Sequence, residues 1–223
     1  MTDFFDKETS KLYYFQNATV AKAPANTGFV SAEVKVLINI SGTQDDPVKD
    51  IHISGITFRD AAYTFMDPHG MPSGGDWCLQ KSGAITLEGT ENVTLSNNTI
   101  TRVDGNAIFI GAYNRHAAIL DSEFEWIGDT AIALWGRTEM LKGGQPQPPG
   151  TGINGTGGDQ PRFTLIAGNI IHELGHFQKQ SSMVFQAQAC QTTISNSKDG
   201  SWIGKVHIAC RGSSLNNLTL TAN

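Results

Sequence analysis

The sequence repeats itself, and this repeat constrains the fold more than any other feature. Residues 92–108 return as residues 117–132, 24 positions later, with their apolar residues in phase. The corresponding pairs are Val93 and Ala117, Leu95 and Ile119, Ile100 and Phe124, Val103 and Ile127, and Ile108 and Ile132. A period of about 20 to 50 residues is typical of stacked arrays, in which each repeat buries its apolar face against its neighbours.

Two further parts of the chain fit the same template. Upstream, residues 51–58 match its first half and residues 82–87 its second half, after an inserted excursion. Downstream, residues 164–171 match the first half, 47 positions after the second repeat, and residues 182–185 match the second half. The sequence therefore predicts about four recognisable coils.

Within each repeat, apolar residues alternate with polar ones over short runs that end at Asn, Asp or Gly. This pattern indicates strands and turns, because a helix would show a period of roughly 3.6 residues. Stacked coils place equivalent strands about 4.8 Å apart, hydrogen-bonded to the coils above and below. The pairs Asn97-Asn98 and Gly168-Asn169 suit turns that need a left-handed residue. We therefore predict an all-β chain folded as a right-handed parallel β-helix.

We expect one β-helix domain over residues 1–223, incomplete at both ends. The amino terminus opens at once into a strand-like stretch, and after Cys190 the sequence loses phase with the repeat. A solenoid needs polar caps on its terminal coils, and the sequence shows none. Residues 136–161, rich in Gly, Pro and Gln, form a long loop insert. Loops of this length are functional lids or disordered inserts, and we favour an insert over the face of the solenoid.

Composition and charge narrow the class of partner. The chain is 39% hydrophobic and 17% charged, with a formal net charge of −5. No basic stripe is available to neutralise phosphates, which argues against a nucleic-acid partner. No apolar run approaches the ~18 residues of a membrane span. The three cysteines have no CxxC spacing, so a zinc ribbon or redox motif does not fit.

The sequence carries signs of a secretory history. Six N-x-S/T sequons occur, at Asn17, Asn39, Asn92, Asn97, Asn154 and Asn217. Such sequons are sites of glycosylation in secreted proteins, although turns rich in Asn beside strands rich in Thr also produce them by chance. The first residues carry no signal peptide. We expect an extracellular or secretory-pathway location for the full-length form.

Residues 172–176 spell a zinc-protease motif. In HExxH, two histidines on one helical face bind Zn²⁺ and the glutamate activates water. That chemistry requires a helix, whereas the preceding residues are in strand phase and Gly175 weakens any helix. The repeat instead aligns residues 174–176 with residues 127–129. We therefore predict no metal site and keep a zinc metalloprotease as a remote alternative.

The same alignment suggests a different site. Asp104, Asp129 and His176 belong to the turn segments of three successive coils, with Asp104 offset by one residue. Equivalent positions in neighbouring coils lie one strand spacing apart, so these side chains are expected to line one groove. Two carboxylates are what a glycosidase needs, roughly 5 Å apart in a retaining enzyme and farther apart in an inverting one. The residues expected to bind substrate are Glu125, Trp126, Trp135, Glu173, His176 and Lys179. Each polar residue among them would equally serve to cap a turn.

The residues also carry a resemblance to a known group of proteins. The run VDGNAIFIGAYNRHAAILDSEFEWIGDTAIALWG, with GTGGDQP and HELGHFQKQSS after it, resembles right-handed β-helix proteins akin to carbohydrate-active glycoside hydrolase and pectate-lyase-like families. The opening DKETSKLYYF is similar to the segment before the coils in some of those hydrolases. The likeness covers roughly residues 5–193. It implies a single-stranded, pectin-lyase-like solenoid whose acidic residues, here Asp104 and Asp129, cleave glycosidic bonds.

Three functions remain open at this point. The first is a carbohydrate-active β-helix protein of glycoside hydrolase type, or less favourably a polysaccharide lyase, that acts on or binds a polysaccharide or oligosaccharide. The second is a non-catalytic scaffold or glycan-binding surface module, and the third is the zinc protease. Fold alone does not choose among them. We expect no cofactor, and no residue pattern supports Ca²⁺.

Overall fold

The computed structural model describes residues 3–14, 30–71, 78–139, 152, 154–199, 206–209 and 219–221. Every regular element in these ranges is a β-strand, and none is a helix. The chain divides into two compact units, Met1–Ser31 and Ala32–Asn223. The expectation of one domain over residues 1–223, incomplete at both ends, stays a prediction.

The strands follow one another in short runs. The first eight are β1 (Asp3–Asp6), β2 (Lys11–Tyr14), β3 (Ile38–Ser41), β4 (Val48–Lys49), β5 (His52–Ser54), β6 (Thr57–Ala61), β7 (His69–Gly70) and β8 (Leu79–Gln80). The next seven are β9 (Ile85–Glu91), β10 (Thr94–Ser96), β11 (Thr99–Val103), β12 (Ile108–Arg115), β13 (Ala118–Leu120), β14 (Glu123–Ile127) and β15 (Ile132–Trp135). The last eight are β16 (Pro161–Arg162), β17 (Leu165–Ala167), β18 (Ile170–Ile171), β19 (Val184–Ala187), β20 (Thr193–Ser195), β21 (Lys198–Asp199), β22 (Val206–Ala209) and β23 (Thr219–Thr221).

Three parallel sheets form the second unit, and the chain visits them in turn. The six-stranded sheet has the order β23-β20-β17-β13-β10-β5, and the five-stranded sheet has the order β21-β18-β14-β11-β6. The eight-stranded sheet runs β22-β19-β15-β12-β9-β3, with β16 beside β12 and β4 beside β9. Two antiparallel pairs, β1 with β2 and β7 with β8, lie outside these sheets. The predicted all-β class and parallel pairing are confirmed.

The register of the parallel strands confirms the repeat. Leu95 pairs with Ile119, Ile100 with Phe124, and Ile108 with Ile132. The upstream and downstream matches also hold, because Thr94 pairs with His52 and Ala118 with Leu165. In a parallel ladder, equivalent residues of successive strands stack directly on one another.

One prediction about the carboxyl-terminal part is wrong. After Cys190 the strands stay in register: β20 pairs with β17, β22 with β19, and β23 with β20. Only the spacing between equivalent strands changes, from Leu165 to Thr193 and from Thr193 to Thr219. Because the turns absorb extra residues without moving the strands, a template of constant period loses the match.

The three sheets share one apolar core, built from columns of stacked side chains. Aliphatic residues at every second position point inward, and each fully buried one contributes about 1.5–3 kcal/mol. The six-stranded sheet supplies Leu95, Ile119, Ile166 and Ile194; the five-stranded sheet supplies Phe58, Ile100, Phe124 and Ile171; the eight-stranded sheet supplies Ile85, Ile108, Ile132 and Val184. A smaller cluster of Leu79, Phe109, Ala133, Trp135, Phe185 and Ala187 covers the other side of the eight-stranded sheet.

Left-handed residues form the corners between the sheets. Between the six- and five-stranded sheets, the φ angle is positive at Gly55, Asn97, Asp121, Gly168 and Asn196. Gly, Asn and Asp adopt this conformation at the lowest cost. The next residue is a buried asparagine in two of these turns, Asn98 and Asn169, as the sequence pattern indicated.

The described ends of the 136–161 insert are tied to each other. Glu139 forms an antiparallel bridge with Asn154, and the Thr138 hydroxyl donates to the carbonyl of Gly152. Arg137 lies in ion pairs with Glu88 and Asp159. The rest of the insert, residues 140–151 and 153, lies outside the described residues, as do Cys210 and the sequons at Asn17 and Asn217. Cys78 and Cys190 are free thiols.

Candidate functional site

A groove of about 560 Å³ lies along the five-stranded sheet. Its walls come from β11, from β14 and from the residues that follow each strand and the residues after β18. The lining residues are Thr101, Arg102, Asp104, Glu125, Trp126, Gly128, His176 and Phe177. Asp104, Glu125, Trp126 and His176 are therefore brought together, as the sequence alignment indicated.

A repeated bulge turns two neighbouring residues of each strand away from the core. In the pairing of β11 with β14, Thr101 lies opposite Glu125 and Val103 opposite Ile127, so Arg102 and Trp126 are skipped. Both skipped residues have positive φ angles, of 50° and 53°. Bulges of this kind redirect side chains beside functional sites. The bulge lets Glu125 and Trp126 lie side by side in the groove.

Asp104 supplies a half-buried carboxyl group to the groove. Burial raises its pKa, the negative charge of Asp60 raises it further, and His176 opposes the shift. A carboxyl group whose pKa is raised keeps its proton nearer to neutral pH and suits the role of a general acid.

Asp60 is the neighbouring carboxylate and has a different environment. The Nε atom of Arg102 donates to it at 2.7 Å, and Arg59 donates to its other oxygen. Burial acts to raise the pKa of Asp60, but the hydrogen bonds from Arg102 and Arg59 outweigh burial and lower it. Asp60 is therefore held ionised and fixes the guanidinium group of Arg102 at one end of the groove.

Glu125 is the second carboxylate that lines the groove. Its Oε1 atom accepts a hydrogen bond of 3.0 Å from the hydroxyl of Thr101, its direct partner on β11. Thr101 is 7% exposed and therefore has little freedom to move. This bond orients the carboxylate without neutralising it.

Stacked rings form the apolar part of the groove. The rings of Trp126 and His176 lie 5.0 Å apart between centroids, with their planes 25° apart. Phe177 stacks on Phe65 at 4.8 Å. The ammonium group of Lys179 donates to the carbonyls of Gly175 and His176 and so ties together the turn that carries both lining rings.

Gly128 is required where the floor of the groove approaches the preceding repeat. A Cβ atom at this position would lie 2.6 Å from the carbonyl carbon of Asp104 and 2.9 Å from its Cα atom. Both are backbone atoms, so neither moves away cheaply. The glycine allows the segments that carry Asp104 and Trp126 to lie close together.

Asp129 lies in the interior and does not line the groove. It is 0% exposed, its Oδ1 atom accepts a 3.3 Å hydrogen bond from Thr130, and its Oδ2 atom has no partner. Burial raises its pKa to about 7. The two carboxylates expected to act together are thus divided by the fold, with Asp104 in the groove and Asp129 in the interior.

Two further residues from the sequence analysis lie away from the groove lining. Trp135 is 2% exposed and belongs to the small cluster on the eight-stranded sheet, where Lys81 lies 4.4 Å from its ring. Glu173 is exposed at a left-handed position, and its carbonyl accepts from the amide of Ile127.

The HExxH residues are not helical. Leu174 pairs with Ile127 in an isolated parallel bridge, as the repeat alignment indicated. His172 lies 3.3 Å from a carboxylate oxygen of Glu123, whereas His176 stacks on Trp126. Among the described residues, no group of three or more His, Cys, Asp or Glu side chains is arranged to hold a metal ion.

Sequence reasoning missed Thr101, Arg102, Gly128 and Phe177. The repeat contained the signal for the first two, because an offset of 24 residues joins Thr101 to Glu125 and Arg102 to Trp126. Phe177 follows His176 directly but has no equivalent in the repeat. Its place in the groove depends on the turn that Lys179 stabilises.

Comparisons with known proteins give one structural likeness. No model of a protein family matches this sequence, and a search of curated proteins found no match. A solved structure described as a glycoside hydrolase is similar over 88% of this chain, with a TM-score of 0.61 and 14% sequence identity. This chain spans 36% of the length of that structure. At this identity the likeness shows the fold alone. In the described part of the chain, no helix is long and apolar enough to cross a membrane.

Proposed function

We propose that this chain is a right-handed parallel β-helix that binds a polysaccharide or oligosaccharide in the groove and hydrolyses a glycosidic bond there. The observation that carries the proposal is the meeting of two carboxyl groups, Asp104 and Glu125, with the exposed ring of Trp126 in one groove. The cyclic passage of the chain through three parallel sheets supports the β-helix. The structural likeness to a glycoside hydrolase supports the reaction class.

Asp104 acts as the general acid in this proposal. It donates its proton to the glycosidic oxygen as the bond from that oxygen to the anomeric carbon breaks. Its raised pKa, caused first by burial, keeps the proton available. Glu125 receives a proton from the attacking water or attacks the anomeric carbon itself, depending on the separation of the two carboxyl groups. Water supplies the hydroxyl group and proton that complete the two products.

Trp126 and His176 position the sugar. The C–H face of a sugar ring is apolar, and packing it on an indole ring removes both surfaces from water. Trp126 is 51% exposed and is held by its contact with His176, so its free face is available. Arg102 offers hydrogen-bond donors to hydroxyl groups at the same end of the groove.

The test is hydrolysis of a panel of plant and algal polysaccharides and aryl glycosides. Asp104→Asn and Glu125→Gln are each expected to lower turnover by two or more orders of magnitude, as loss of an acid or base should. Asp129→Asn is the interior comparison and is expected to retain more activity than either. Turnover that survives both groove substitutions, or that is lost only in Asp129→Asn, would contradict the assignment.

A glycan-binding module without catalysis is the second candidate. The chain spans 36% of a glycoside hydrolase of similar fold, so other parts of such a protein can carry residues that this chain lacks. The same panel separates the two candidates. Glycan binding that depends on Trp126, with no product formed, favours the binding module.

We also propose a secretory location, which the glycan substrate and the sequons support. Asn39, Asn92 and Asn97 are exposed on the described surface, where an oligosaccharide transferase product has room. Expression in a eukaryotic secretory host followed by mass spectrometry of these asparagines tests the proposal, and unmodified asparagines at all three would contradict it.

A further inference from the structure

Three aromatic rings continue from the groove across the neighbouring surface. Phe177, which lines the groove, stacks on Phe65 with centroids 4.8 Å apart and planes 14° apart. Phe65 in turn contacts Tyr63, with centroids 5.5 Å apart. Phe177 and Tyr63 are 51% and 52% exposed. We call Tyr63, Phe65 and Phe177 the aromatic strip.

The aromatic strip is anchored from below. Thr64, between its first two rings, is 2% exposed and points the opposite way. Its hydroxyl occupies the space beside Gly105, where a Cβ atom would lie only 2.0 Å from that oxygen. Gly105 directly follows Asp104, so the residue that holds the strip neighbours the acid of the groove. Because Thr64 points inward, Tyr63 and Phe65 are turned outward.

The loop that carries the strip is also held on its far side. The amide of Asp67 donates to the carbonyl of Thr64 at 2.8 Å. Lys35 donates to both carboxylate oxygens of Asp67, at 2.6 and 2.8 Å. A surface ordered before binding loses less conformational entropy when a ligand arrives.

The size of the aromatic strip favours a sugar chain over a protein partner. Each Phe or Tyr side chain buries about 150–250 Å² when fully covered, and the strip is already half covered. Three such rings therefore offer roughly 300 Å², whereas a stable protein interface needs about 800 Å² on each side. Stacked rings that continue a groove lined by carboxyl groups match the alternating apolar and hydroxyl surfaces of successive sugar units.

We propose that the aromatic strip is a second sugar-binding surface, so that this site takes a chain of several sugar units and not a single one. One unit lies on Trp126, and further units lie along Phe177, Phe65 and Tyr63. The inference rests on the proposed glycan-binding function of the groove and adds the class of its ligand, an extended oligosaccharide.

The test measures affinity as a function of chain length. The probes are oligosaccharides of two and six units from cellulose, xylan and laminarin, titrated by calorimetry in an Asp104→Asn background so that none is consumed. Tyr63→Ala and Phe65→Ala remove the outer rings, and Tyr63→Leu keeps apolar bulk without a ring. Met66→Ala is the matched control, because Met66 is 75% exposed in the same loop but is not part of the strip.

We expect Tyr63→Ala and Phe65→Ala to lower the affinity for the six-unit probe about five- to tenfold, the loss expected for one stacked ring. The affinity for the two-unit probe should not change, and Met66→Ala should match the parent protein for both. Equal losses for short and long probes, or no loss for either, would overturn the inference.

Two other results are distinguishable from these. Self-association in light scattering that Tyr63→Ala abolishes would assign the strip to a second copy of this chain and overturn the inference. If no probe binds, the proposed function and the inference both fall. If the two-unit probe binds and Trp126→Ala abolishes that binding, the groove stands, and the length dependence alone decides the strip.

Discussion

The indole ring of Trp126 rests on the imidazole ring of His176, although 50 positions of sequence separate them. Trp126 reaches this position through a left-handed backbone conformation at a bulge, with a φ angle of 53°. A bulky residue in this conformation carries a strain of about 1–3 kcal/mol, and such strain clusters at functional sites. The stack therefore marks the part of the groove where ligand binding is best tested.

Trp126→Ala is expected to lower glycan affinity at least about tenfold, because it removes the main apolar surface of the groove. Titration calorimetry with the best ligand from the panel measures the effect. Phe163→Ala is a closely matched control. Phe163 is also an exposed aromatic residue with a positive φ angle, and it stacks on His116 at 5.0 Å, but it does not line the groove. Equal losses in the two variants would remove Trp126 from the binding site.

Gly128→Ala is expected to destabilise the fold by about 1–3 kcal/mol, as overpacking does. The added Cβ atom meets the backbone of Asp104, so Asp104 and the groove should shift as well. Urea denaturation measures the stability, and ligand titration the groove. Gly157→Ala is the control, because the nearest atom to a Cβ there, Oε1 of Glu139, is 3.7 Å away. A Gly128→Ala protein as stable as the control would contradict the close approach.

Asp129→Asn is expected to change the pH dependence of stability. The pKa of Asp129 is raised by burial from 3.8 to about 7 in the folded protein. The folded state therefore holds its proton more tightly than the unfolded state. The contribution of Asp129 to stability is fully present below about pH 4 and is lost as the pH rises through about 7. At 1.36 kcal/mol per unit, the loss is of the order of 4 kcal/mol.

Asparagine does not ionise, so Asp129→Asn should be the more stable protein at pH 8 and should lose its advantage near pH 4. Carboxylates whose pKa is lowered, such as Asp60, titrate at the acid end in both proteins and cancel from the difference. Thermal unfolding at a series of pH values measures the two curves. Parallel curves from pH 4 to 8 would show that Asp129 titrates normally.

Asn169→Ala is expected to destabilise the protein by about 2–4 kcal/mol. The Asn169 side chain is fully buried, accepts from the amide of Ser122 at 3.0 Å and donates to the carbonyl of Ile119 at 2.9 Å. Its loss leaves two buried backbone groups of the neighbouring repeat without partners, and each costs about 1–3 kcal/mol. Asn39→Ala, at an exposed strand position, should change the stability by less than about 0.5 kcal/mol in the same denaturation assay.

His172→Ala and His176→Ala are expected to leave the zinc content unchanged at well under one ion per chain. The two histidines have different contacts, a carboxylate of Glu123 for one and the Trp126 ring for the other. Elemental analysis of the purified protein measures the zinc. Stoichiometric zinc that disappears in His176→Ala would revive the metalloprotease hypothesis.

The sequence alone was sufficient to predict the strands and their register, because stacked parallel strands repeat the same inward-pointing residues. Leu95 and Ile119, or Ile100 and Phe124, correspond in the sequence and are direct partners in the structure. The turn asparagines were also predictable, since few residues adopt a left-handed conformation cheaply. After Cys190 the same reasoning failed, because turns of unequal length hide a register that the strands keep.

Only the tertiary structure decided which polar residues share the groove. Asp104 and Asp129 look alike in the sequence, yet Asp104 is half-buried beside Asp60 and His176, whereas Asp129 is enclosed. The alignment compares positions along the chain, but a bulge or a turn changes the direction of a side chain within one residue. Trp135 is hidden for a related reason, since Leu79 from a distant excursion packs in the same cluster. A repeat in the sequence determines where strands stack, and the contacts between turns and excursions determine which side chains a ligand can reach.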